Sequence, residues 1–155
     1  MKRLLFQLSS IICCVILLAS CEQEDIIIDN IQYINSPSTC LKNHNVSWNG
    51  EYATLESNSY FSFKAKVDGE LCFYYNTGGW SALKIKKNTQ SIFNDAFYYS
   101  SNPDRMEFAK INFIKKGDLV TFRHDDSNDG RSSYVTIYGI TLCGTLDTDN
   151  SGFDF

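Results

Sequence analysis

Residues 60–75 read Tyr60-Phe61-Ser62-Phe63-Lys64-Ala65-Lys66-Val67-Asp68-Gly69-Glu70-Leu71-Cys72-Phe73-Tyr74-Tyr75. Up to Val67 the side chains alternate, with Phe61, Phe63, Ala65 and Val67 on one face and Tyr60, Ser62, Lys64 and Lys66 on the other. That period is the mark of a half-buried β-strand, because successive strand side chains point to opposite faces. Asp68-Gly69 separates this run from a second apolar one, and Asp-Gly between such runs signals a hairpin. The expectation is two antiparallel neighbours joined at Asp68-Gly69.

Outward from this pair, further strands are expected at about 82–86, 96–99, 119–124 and 134–143, with turns at 76–79, 116–118 and 128–130. Residues 102–117 read two ways. Asn102 can cap a helix with Pro103 at its first position. A strand is favoured, because Gly117-Asp118 then turns tightly into Leu119-Val120-Thr121-Phe122. Upstream, Ile26–Ile28 and Ile31–Ile34 are too apolar for a purely flexible tether and point to a first strand. Short strands at regular spacing predict an all-β, jelly-roll-like antiparallel β-sandwich. At 155 residues the chain has room for one such domain, placed at 40–145, with an acidic tail at 146–155.

Four segments carry a resemblance: Tyr60 to Phe63, Gly69 to Tyr75, Lys116 to Phe122 and Val135 to Leu142. Together they make residues 61–142 resemble the jelly-roll sandwiches of secreted bacterial adhesion and carbohydrate-binding modules. The resemblance implies an architecture and no specificity, since such folds host unrelated functions.

The N-terminus reads as an address. Lys2 and Arg3 precede an apolar stretch that runs unbroken from Ile11 to Ala19 and ends in Leu18-Ala19-Ser20-Cys21. The run is shorter than the roughly 20 residues a membrane-spanning helix needs. Residues 1–21 resemble a bacterial lipoprotein signal with its lipobox, which implies cleavage after residue 20 and lipid on Cys21. Residues 21–39 then form the lipidated cysteine and tether, with the membrane as partner. Glu22-Gln23-Glu24-Asp25 is similar to the acidic signals that send lipoproteins to the outer surface, so the expected location is the outer membrane, facing the cell exterior.

Charge narrows the partners. The formal net charge is −4 and becomes two units more negative when Lys2 and Arg3 leave, which disfavours nucleic acid. No Gly-x-Ser-x-Gly turn is present, the two histidines are His44 and His124, and Glu107 is a lone acid in a strand, so no enzyme is expected. His124 beside Asp125 reads as a surface pair. Asp125, Ser127 and Asp129 place oxygens at alternate positions before Gly130 and could hold calcium, the one cofactor the chain suggests. A second such loop, Asp147 to Gly152, leads into the tail, and neither loop matches an EF-hand.

Aromatic side chains on loops suggest a ligand. Trp80 follows a Gly-Gly turn and Tyr98-Tyr99 lies at another edge, and flat rings of this kind can stack on sugars. The expected function is therefore an adhesive or glycan-binding module with Trp80, Tyr98 and Tyr99 as ligand contacts. The rival is a structural or interaction lipoprotein, such as a surface-assembly subunit or an inhibitor of another protein. Three cysteines remain after Cys21: a Cys40–Cys143 disulfide is expected from their places at the two ends of the domain, with Cys72 a free buried thiol. Three reduced thiols are the alternative.

Overall fold

The computed structural model describes residues 27–28, 30–78, 81–97, 106–126 and 133–144. These form ten strands: β1 (Ile27–Ile28), β2 (Ile31–Ile34), β3 (Lys42–Trp48), β4 (Tyr52–Lys64), β5 (Gly69–Gly78), β6 (Ser81–Lys87), β7 (Gln90–Phe97), β8 (Glu107–Ile114), β9 (Leu119–Asp126) and β10 (Tyr134–Gly144). A single 3-10 turn at Pro37–Thr39 interrupts them. Every strand pair is antiparallel. Among the described residues no helix is long and apolar enough to cross a membrane.

One hydrogen-bonded network folds back on itself as two layers. The first runs β8-β5-β10, and β10 is flanked on its far side by β2 and by the opening residues of β4, Tyr52 to Leu55. The second runs β7-β6-β9 and ends on the closing residues of β4, Tyr60 to Lys64. Thus β4 belongs to both layers, and β3 accompanies it through the bend. Asn58 and the facing Asn45 both adopt positive φ there, and the β3–β4 register slips by a bulge. Asparagine tolerates the left-handed region better than most residues, so the sequence can turn the ribbon at this point.

Bending a strand strips carbonyls of their ladder partners. Two buried side chains replace them: His124 Nδ1 donates to Glu56 O at 2.7 Å, and Ser59 Oγ donates to Asn45 O at 2.6 Å. Ser133 Oγ lies 3.3 Å from His124 Nε2, so the imidazole ties β9 to the bend and to the start of β10. His124 points inward and Asp125 outward, so they do not form the surface pair the sequence suggested.

Between the layers Phe73 of β5 meets Phe122 of β9 edge-on at 5.1 Å and Phe93 of β7 at 5.9 Å. Phe61 stacks on Phe122 with centroids 4.9 Å apart. Phe61, Phe63, Ala65 and Val67 are all buried, as their alternation requires.

Three expectations need correction. β4 and β5 are not a hairpin: residues 65–68 cross between layers, and β5 pairs with β10 and β8. Ala65 exchanges backbone hydrogen bonds with the 115–118 turn, while the buried Gln32 grips the crossing, donating to Lys64 O at 3.0 Å and accepting from Lys66 N at 2.8 Å. Gly69 serves close approach, since a Cβ there would lie 1.9 Å from Cys143 O.

The folded unit also begins earlier than Cys40, because β2 is paired with β10 and buries Gln32 and Ile34. The Cys40–Cys143 bridge is not formed. Cys72 and Cys143 are free thiols, and Cys72 is half-buried on the outer face of β5. Register is the reason: Cys143 opposes Glu70 and lies diagonal to Cys72, whereas Cys40 leads into β3 beside the far end of β4. The segment read as helix or strand is the strand β8.

Candidate functional site

The outer face of the first layer carries a row of rings. Phe108 of β8 opposes Tyr74 of β5, Tyr74 opposes Tyr138 of β10, and Tyr138 opposes Tyr52 of β4. Ring centroids are 5.0 Å apart for Tyr74–Phe108 and 5.1 Å for Tyr52–Tyr138. At about 4.8 Å between strands the row spans roughly 14 Å. Phe108 is 55% exposed and Tyr74 47%, so about half of each is open to a ligand.

Tyr134 adds a ring at the β10 end, lying where a side chain on Gly78 would be; a Cβ at Gly78 would come within 2.2 Å of it. Burial, with Tyr52 and Tyr134 close by, holds the Tyr138 hydroxyl above its ordinary pKa, so it stays a neutral donor.

Polar groups flank the row on both sides. Two residues along the strands in one direction, Asn76, Thr136 and Thr54 stand in register. In the other direction stand Lys110, Cys72 and Thr141. Lys110 is bonded to Glu70 at 2.5 Å, and that hydrogen bond raises its pKa. Burial pushes the Cys72 thiol up, with Cys143 adding to the effect, so this thiol is a poor nucleophile. A strip of rings bordered by amide, hydroxyl and charged groups can stack on a flat apolar face while its edges take hydrogen bonds.

The opposite layer carries a trough of about 590 Å³. Tyr60 of β4, Thr121, Arg123 and Asp125 of β9, Lys84 and Lys86 of β6, and Ser91 and Asn94 of β7 line it. Tyr60 stacks on His44 of β3 with centroids 5.3 Å apart. Asp125 pairs with Lys84, and that hydrogen bond holds its carboxyl below the ordinary value.

The expected ligand contacts Trp80, Tyr98 and Tyr99 lie outside the described residues, as do Cys21, Ser127 and Asp129. Asp125, the remaining expected calcium ligand, is engaged by Lys84, and among the described residues no group of three metal-ligating side chains gathers. The row of rings was not foreseen. Its signal was nevertheless present, since Tyr74 and Tyr138 occupy outward positions of strands whose inward positions are mostly apolar: Leu71, Phe73 and Tyr75 in β5, and Val135, Ile137, Ile140 and Leu142 in β10.

No protein-family model matches the chain, and no curated protein matches it in sequence. Solved structures do match in fold. Over 77% of its length the chain superposes, with a TM-score of 0.60 and 12% identity, on a Clostridium perfringens ZmpB structure comprising an M60 catalytic domain and two CBM51 domains. Over 77% it also superposes, at 0.52 and 10%, on the tandem CBM51 modules of a family 98 glycoside hydrolase from Streptococcus pneumoniae. The chain spans 16% and 42% of those two chains. At such identity the likeness speaks for fold alone: the chain is an antiparallel β-sandwich of the kind found in carbohydrate-binding modules.

Proposed function

We propose that this chain is a non-catalytic glycan-binding β-sandwich, carried on the outer membrane by lipid on Cys21 and facing the cell exterior. The row Phe108–Tyr74–Tyr138–Tyr52 carries the reading. Cross-strand aromatic pairs stabilise a sheet by only about 0.2–1 kcal/mol each, and that gain would be larger with the rings covered. A contiguous run of rings, with Phe108 and Tyr74 about half exposed and Tyr138 and Tyr52 partly so, marks a binding surface instead. The apolar C–H face of a pyranose fits such rings, and the exposed Lys110 beside Phe108 and the partly exposed Thr54 beside Tyr52 offer polar groups at its edges.

The rival reading, docking of a protein by strand addition, would use the edge of β8, where Phe113 is 79% exposed. Phe113 has positive φ and sits at a bulge, which breaks the regular ladder that an added strand requires. The test is a glycan-array screen of the full-length chain in detergent, alongside Tyr74→Ala and Phe108→Ala. Each substitution should weaken binding by at least about tenfold, as expected for an aromatic anchor, and shift stability by less than about 1 kcal/mol. Binding of neutral glycans that survives both, or no neutral glycan bound at all, contradicts the proposal.

A further inference from the structure

The geometry points to a second binding site: the trough on the β4-β9-β6-β7 face takes an anionic saccharide, one bearing carboxylate or sulfate groups. It lies on the layer opposite the row of rings and does not depend on it. Charge is the first argument. The whole chain is acidic, at −4, yet the lining carries Lys84, Lys86 and Arg123 against a single carboxylate, Asp125. That carboxylate is already matched by Lys84, which leaves Lys86 and Arg123 uncompensated within the lining.

The register extends the pattern, because Lys64 of β4 and Lys42 of β3 sit exposed on the same outward face, at the positions opposing Leu119 and Ser62. With Lys84 matched by Asp125, the other four cations on this face of an acidic protein focus a positive field on a concave surface.

Shape and chemistry select a saccharide. The volume is in the range of small-molecule sites, about 300–1,000 Å³. Ser91, Asn94 and Thr121 offer hydroxyl and amide groups, and Thr121 Oγ1 is braced from below by Ser62 Oγ at 2.8 Å. The Tyr60 ring, held by its stack on His44, supplies an apolar wall. Arg123 can grip a carboxylate or sulfate with two parallel hydrogen bonds. A membrane surface would instead call for protruding apolar side chains among the cations, and this face is recessed and polar.

The test titrates the full-length chain in detergent with matched probes: oligogalacturonate against its methyl ester, and a heparin oligosaccharide against its desulfated form. In at least one pair the anionic member should bind at least about tenfold more tightly. That preference should fall as salt rises from about 50 to about 300 mM. Arg123→Gln and Lys86→Gln, both on the outward face, should each abolish it, while Tyr74→Ala leaves it intact.

Equal binding of charged and neutral forms, no binding of either, or a preference that survives both glutamine variants overturns the assignment. Equally tight binding to vesicles of anionic phospholipid with the same Arg123 dependence overturns it in favour of a membrane surface. If one of these outcomes is found while neutral glycans still bind and are lost in Tyr74→Ala, the trough assignment alone fails and the reading of the aromatic row stands.

Discussion

A Cβ at position 69 would lie 1.9 Å from Cys143 O and 2.9 Å from Gly144 Cα, so Gly69→Ala has to push β5 away from β10. The expected loss is about 2–4 kcal/mol, read as a lower urea midpoint. Gly117→Ala makes the contrast: its φ of +95° strains a Cβ, but the space around it is open, and about 1 kcal/mol should be lost. A midpoint for Gly69→Ala no lower than for Gly117→Ala would contradict the close-approach reading. Acidic residues around the same crossing set a pH response. Asp68 is held below the ordinary carboxylate value first by the Lys116 backbone N–H, at 2.6 Å, and Asp118 first by the Lys115 N–H, at 2.9 Å. A carboxyl with a lowered folded pKa stabilises the protein above its unfolded value, near 3.8, and the gain is lost as pH falls through the folded value. The double variant Asp68→Asn, Asp118→Asn should therefore flatten acid denaturation below about pH 4 while changing its slope little at neutral pH. An unchanged acid limb would show that these bonds do not hold the crossing.

At the scale of elements, Gln32 links β2 to the crossing after β4 through two backbone partners in a buried place. Gln32→Leu leaves the Lys64 carbonyl and the Lys66 N–H unpaired and should cost about 2–4 kcal/mol; equilibrium unfolding checks it, and a cost under about 0.5 kcal/mol would deny the clamp. Most strands were legible in the sequence, because alternation reports burial directly, but β3 and the opening half of β4 were not, and β7 begins six residues before the expected strand at 96–99. Which strands pair was not legible. Asp68-Gly69 carries the signal of a hairpin turn, but whether a glycine serves a left-handed φ or close contact depends on what packs over it, here the Cys143 carbonyl. Two phase changes were readable in principle. Val135 and Ile137 give way to Ile140 and Leu142 across Gly139, whose φ of +57° marks a bulge. Ala109 and Ile111 give way to Ile114 across Phe113, so a ring placed inward by simple alternation points outward.

For the whole molecule, the two layers share one core and present different chemistry outward. One offers rings in register across four strands, the other cations around a trough. The aromatic row could not be found from spacing along the chain, since its members lie at positions 52, 74, 108 and 138 and meet only through strand order. Loop aromatics were the visible candidates, and the row belongs to strands. The most direct measurement is the aromatic NMR spectrum of the full-length chain with and without the best-binding neutral glycan from the array. Ring signals of Tyr74, Phe108, Tyr138 and Tyr52 should shift together on saturation, while those of the core rings Phe61 and Phe122 stay in place. Shifts confined to residues outside the row, with all four of its rings unmoved in the bound state, would contradict the central claim.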